Sequence, residues 1–204
     1  IEVDGNEGGP YLKDFAVFSP RQITLAPGEK QTVRVGIRRP ADLPDGEYRS
    51  HINFRIIEKI PPARAEAPIG ENEQRINARI MASYSIPAIY RKGDYDVDIT
   101  FGQPSFSVNP NSGRMNIALP INRSGIHGVI GFIEVFHKPN GGEETRIASL
   151  ANANMFTDIT QRTFNIKTNV TGLSAGTMRI VFNKAEGKTE THYVMAEQRF
   201  PITN

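Results

Sequence analysis

Four histidines, His51, His127, His137 and His192, come first among the residues that could do chemistry, because an imidazole serves near neutral pH as general base or metal ligand. No two stand at the close spacing by which a helical zinc motif brings two rings to one face. His51 and His192 also fall inside segments of alternating polarity, so the four read as structural or surface histidines. Serine, histidine and acid are all present, but no Gly-x-Ser-x-Gly elbow sets up a nucleophile. Pro27-Gly28-Glu29-Lys30 offers a glycine and a lysine without the glycine spacing of a phosphate loop, and reads as a tight turn. Asp94, Asp96 and Asp98 alternate, so a strand there would bring three carboxylates to one face, where a cation could bind. Beside the Lys92-Gly93-Asp94 linker they read instead as a solvated strand start. The absence of cysteine removes disulfides, thiolate ligands and cysteine nucleophiles. Nothing titratable converges, so the expectation is a binding protein: no enzyme, no metal and no cofactor.

The elements that carry these residues are strands. Eighteen glycines and fourteen prolines in 204 residues suit many short strands joined by turns better than long helices. Thr32 to Arg38 alternates, with Val33, Val35 and Ile37 on one face and Arg34 and Arg38 on the other, the period of a half-buried antiparallel strand. Ala26-Pro27-Gly28-Glu29 supplies the turn before it, and Ile23 and Leu25 predict a further short strand upstream. Tyr48 to Ile57 alternates again, with Ile52, Phe54 and Ile56 inward. Residues 58–74 are proline-rich, charged and without period, a long connection of the kind that is functional or mobile. Arg75 to Tyr90 predicts a long strand with Ile76, Ala78, Ile80, Ala82, Tyr84 and Ile86 on one face, and Pro87 places it at an edge or a bulge. After Gly93, alternation resumes over 95–101, 115–121, 129–137, 146–150, 163–167, 178–182 and 192–200. About seven strands in about 110 residues describe an immunoglobulin-like sandwich. The fold class expected is all-β, with two immunoglobulin-like sandwich domains, residues 1–92 and 93–204.

The formal net charge of +2 and the lack of basic clusters interleaved with aromatics argue against nucleic acid. No apolar run approaches the roughly 18 residues of a membrane span, so no membrane insertion is expected. No signal-peptide pattern opens the sequence, so an exported protein is read here in mature or trimmed form.

Several segments together resemble the periplasmic chaperones of pilus assembly, the soluble partners of outer-membrane ushers in the chaperone–usher pathway. They are Ser19-Pro20-Arg21, Leu25 through Val35, Arg39-Pro40-Ala41-Asp42-Leu43-Pro44-Asp45-Gly46-Glu47-Tyr48-Arg49, Asn53-Phe54-Arg55 and Ile60-Pro61-Pro62. Ser85-Ile86-Pro87-Ala88-Ile89-Tyr90-Arg91 resembles the stretch leading into the family's second domain, in the form closest to the branch with spore-coat-U-like subunits. The resemblance spans nearly the whole chain and is specific over residues 19–92, where order and spacing carry it.

That resemblance implies a periplasmic protein that binds a pilus subunit by strand addition and delivers it to the usher. It implies a donor strand with Ile76, Ala78, Ile80 and Ala82 as the inserted row, so that Ile80→Asp abolishes binding. It places Arg91 where a family arginine fixes the domain angle, with Glu47 as partner and Lys92 beside it in the cleft. It also implies two strands ahead of Ile1, leaving the first domain incomplete at its start. The family's cleft arginine falls on those strands, and no lysine stands near Ser85–Pro87, where the family's cleft lysine would fall. Exposed donor edges in this family are often covered by self-association, which implies a homodimer when free. The alternative is a structural immunoglobulin-like pilus or surface-fibre component, which would carry a donated extension. A carbohydrate-binding module is disfavoured by zero tryptophan and 8% aromatics.

Overall fold

The computed structural model describes residues 2–4, 11–57, 82–185 and 193–203. Apart from one 3₁₀ turn, Leu12–Asp14, every element among them is a strand. In chain order these are β1 (Glu2–Asp4), β2 (Ala16–Ser19), β3 (Arg34–Ile37), β4 (Gly46–Arg55), β5 (Ser83–Lys92), β6 (Asp98–Phe101), β7 (Ser105–Val108), β8 (Met115–Ser124), β9 (Gly131–Pro139), β10 (Thr145–Leu150), β11 (Gln161–Lys167), β12 (Gly176–Lys184) and β13 (Tyr193–Ile202). The protein is therefore all-β. No helix among the described residues is long and apolar enough to cross a membrane. The chain divides into two compact units, residues 1–44 with 48–91 and residues 45–47 with 92–204.

The second unit has a large core. Its sheets run β10-β9-β12-β13 and β11-β8-β6, with β7 also paired to β8. The alternation read from the sequence explains the packing: along β8, Met115, Ile117, Leu119 and Ile121 are buried at every second residue, and along β9, Ile133 and Val135. These rows meet Met178, Ile180 and Phe182 of β12 and Phe164 and Ile166 of β11 in one apolar cluster. Both sheets line that cluster, the arrangement of a β-sandwich. Beyond the seven segments read from the sequence, the structure adds β7, whose Phe106 and Val108 oppose Ile117 and Met115 yet stay exposed.

Among the described residues the first unit has a small core. Its strands there form the sheets β1-β4-β5 and β2-β3. Its buried cluster is Leu12, Phe15, Leu43 and Tyr48, with Ala16, Ala88 and Tyr90 against it. Phe15 meets Tyr48 edge-on at 5.3 Å and Tyr90 at 5.9 Å between ring centroids, a favourable arrangement for aromatic quadrupoles. The Tyr48 hydroxyl donates to the Pro44 carbonyl at 2.7 Å, and Ser50 Oγ accepts the Lys13 N–H at 2.9 Å, which ties the 3₁₀ turn to β4.

Several sequence expectations change here. Ile23 and Leu25 lie in irregular chain and are exposed, because nothing among the described residues pairs with them. The row expected to face inward on β3 is open, Val35 being 47% and Ile37 39% exposed. Ile56 lies past the end of β4 and is exposed. The turn at Pro27 and Gly28 forms as expected, with Gly28 at φ +81° and the Glu29 N–H donating to the Ala26 carbonyl at 3.0 Å. Among the described residues β5 lies at the edge of its sheet, which is where Pro87 can be tolerated.

Candidate functional site

Strand alternation puts Tyr84, Ile86, Ala88 and Tyr90 of β5 on one face, and Tyr48, Ser50, Ile52 and Phe54 of β4 likewise. Near the Phe15–Tyr48–Tyr90 cluster this face is covered. Toward the start of β5 nothing among the described residues covers it: Tyr84 is 68% and Ile86 52% exposed, with Ile56 and Ile57 exposed just past β4. Apolar side chains gathered on one face of an edge strand, instead of scattered singly, mark an interaction surface. The other face of β4 is polar, with Arg49, His51, Asn53 and Arg55.

Of the expected inserted row, Ile76, Ala78 and Ile80 lie outside the described residues. Ala82 is exposed, and its carbonyl accepts the Ile56 N–H at 3.2 Å, so the row begins beside the end of β4. Tyr84 and Ile86 continue it.

The expected cleft residues fall as follows. Arg91 is exposed near the end of β5. Glu47 Oε2 accepts the Gly128 N–H at 3.0 Å, and Lys92 Nζ pairs with Asp45 Oδ1 at 2.6 Å. Gly93 closes this corner at φ +85°, where a Cβ would come within 2.8 Å of the Asp45 carboxyl carbon.

A second cluster, which sequence reasoning missed as a unit, gathers at the end of β8 and in the loop after it. Arg123 is buried, and its guanidinium donates to the carbonyls of Gly125 and His127 at 2.8 Å and of Ile159 at 3.1 Å, with longer bonds to Thr157 and Ser124. Carbonyl dipoles thus replace water around its charge. The His127 ring is also buried. Its Nδ1 accepts the Asp96 N–H at 3.1 Å and its Nε2 lies 3.0 Å from the Lys92 carbonyl. Tyr95 stacks on the ring. Both ring nitrogens are thus engaged with backbone, a structural role. His137 is buried too and bonds the Ser174 carbonyl, His51 is on the surface of β4, and His192 lies outside the described residues.

Asp94, Asp96 and Asp98 do not share one strand face. Only Asp98 is in a strand, and Asp96 Oδ2 instead accepts the Ile126 N–H at 3.2 Å. Among the described residues no three His, Asp or Glu side chains gather as metal ligands. On the second unit Arg179 lies between Glu144 at 2.6 Å and Glu197 at 3.3 Å and over the Phe136 ring. Its hydrogen bond holds the Glu144 carboxyl below the usual glutamate range and raises its own value.

No protein-family model matches the chain, and no curated protein is significantly similar to it.

Proposed function

We propose that the protein is a periplasmic chaperone of pilus assembly, which holds a pilus subunit by strand pairing along β5 and delivers it to an outer-membrane usher. On this reading each unit is an immunoglobulin-like domain, with the boundary at residues 92 and 93, and the protein works without catalysis or cofactor. The observation that carries the reading is the open apolar row of β5. Among the described residues it stands on an edge strand, so its backbone can extend a ladder, and its side chains project at alternate positions, as a groove in a strand-deficient subunit requires. The order and spacing of the segments from Ser19 to Lys92, which resemble that family, support it further. When no subunit is bound, a second copy covers the row.

The test is co-expression with the products of neighbouring genes in a Gram-negative periplasm, followed by affinity purification. A small β-rich protein is expected to co-purify stoichiometrically with the wild type and to be lost from Ile86→Asp, which would bury a carboxylate in an apolar groove. Undiminished capture by a folded Ile86→Asp variant would overturn the reading.

A further inference from the structure

The sequence holds one Asn-Gly pair, Asn140-Gly141, in the stretch Pro139-Asn140-Gly141-Gly142. It forms the turn between β9 and β10 in the second unit. The Gly142 N–H donates to the Pro139 carbonyl at 3.0 Å, and Gly141 lies at φ +72° with Asn140 at negative φ. A closed turn with a glycine at positive φ in its third position is of type II. The last bond joining this end of β9 to the chain before β12 runs from the Asn140 N–H to the Ala175 carbonyl at 3.0 Å. The Gly141 N–H stands between those two bonds and belongs to neither. Asn140 and Gly141 are both exposed.

A carboxamide carbon, Asn140 Cγ, is thereby set one residue before a backbone nitrogen that water reaches and that no Cβ hinders. Attack of the Gly141 nitrogen on that carbon closes a succinimide ring. The N–Cγ bond forms, the Cγ–Nδ2 bond breaks, and ammonia leaves with the proton given up by the Gly141 N–H. Water then opens the ring. Its addition at Cγ breaks the new bond and gives aspartate. Its addition at the main-chain carbonyl breaks the original peptide bond and gives isoaspartate, in which the chain runs through Cβ and Cγ.

Other asparagines lack this combination. Asn109 precedes Pro110, which has no N–H to attack. The Asn109 Oδ1 accepts the Asn111 and Ser112 N–H groups at 2.9 and 3.2 Å, and the second of these bonds engages the nitrogen that would attack Asn111. Asn154 Oδ1 accepts the Gly131 N–H at 3.4 Å.

We infer that Asn140 is a self-modification site, converted in the folded protein to aspartate and isoaspartate by attack of the Gly141 nitrogen. The new carboxylate enters a surface depression that Lys138, Glu144 and Arg199 also line, where the two cations favour an added negative charge. Isoaspartate also lengthens the turn by one backbone carbon. None of this depends on the function proposed for β5.

The test incubates the whole folded chain in heavy-oxygen water at mildly alkaline pH. Peptides are then read by mass spectrometry with electron-transfer fragmentation, which separates aspartate from isoaspartate. The Asn140 peptide is expected to convert first and to take up one heavy oxygen, with isoaspartate among the products, while Asn109, Asn111 and Asn154 remain amides. Its rate should lie within about tenfold of that in a blocked Pro-Asn-Gly-Gly peptide, because one turn hydrogen bond withholds no more than that. In Asn140→Gln, where ring closure is far slower, the conversion should be lost. Conversion of Asn111 as fast as Asn140, or acidic product lacking heavy oxygen, would overturn the inference. So would a rate in the folded chain more than about tenfold below the peptide's, which would mean that the turn protects the pair.

Discussion

Replacing Arg123 by methionine keeps the apolar stem of the side chain and removes its charged head. In the wild type that head donates to five backbone carbonyls, three of them at 2.8–3.1 Å. Hydrogen bonds to a charged group are worth about 1.5–3 kcal/mol each. Three short ones would sum to several kcal/mol, but two effects reduce the loss. Removing the guanidinium relieves its own cost of burial, and carbonyls at the loop rim regain water. The net expectation is a loss of about 2–4 kcal/mol from the second unit. Arg123→Lys should lose less, because an ammonium still donates to one or two of the carbonyls. Native-state hydrogen exchange at the Ile180 amide, in the central strand β12, reports the opening free energy of that unit without assuming that both units unfold together. A drop below about 0.5 kcal/mol in Arg123→Met would refute the reasoning and mean that the carbonyls are equally well satisfied without the arginine.

Three further outcomes follow from packing and charge. Ile180→Ala, at a fully buried site, should destabilise the second unit by about 2–5 kcal/mol through lost burial and a residual cavity, checked by the same exchange measurement. Gly131→Ala should cost about 1–3 kcal/mol, since its Cβ would stand 2.5 Å from both the Asn183 carbonyl oxygen and the Phe182 ring; a shift in thermal midpoint reads this. Glu144, whose folded-state value is depressed chiefly by its bond to Arg179, contributes stability that is present above its unfolded titration range and lost as pH falls through its folded one. Its carboxyl carbon should therefore titrate below the usual glutamate range by NMR, and Arg179→Met should move that midpoint upward.

Where side chains alternated around a large core, the fold could be read directly. β8 alternates so regularly that Met115, Ile117, Leu119 and Ile121 marked their own burial. The same row continues to Arg123, so a buried arginine was legible by extending the period two residues further. Its partners were not, because they are backbone carbonyls brought together by loop geometry. β7 went unread because Phe106 and Val108 alternate over only four residues, too few to separate from coil. In the first unit, alternation predicted inward faces for Val35, Ile37 and Ile56 correctly as a period but wrongly as burial. Period two states which residues share a face, and only the neighbouring strands decide whether that face is covered. Ile23 and Leu25 show the same limit, since two apolar residues two apart make no strand without a ladder partner. The Lys92–Asp45 pair spans 47 positions and leaves no local signal.

The central claim is that the β5 row is a partner-binding surface, and site-specific photo-crosslinking in the periplasm tests it most directly. A photoreactive side chain at Tyr84, 68% exposed on the apolar face, should crosslink a β-rich pilus subunit. The same group at His51, exposed on the opposite face of β4, should not. Equal crosslinking at both positions, or none at Tyr84 with the neighbouring genes expressed, would contradict the account.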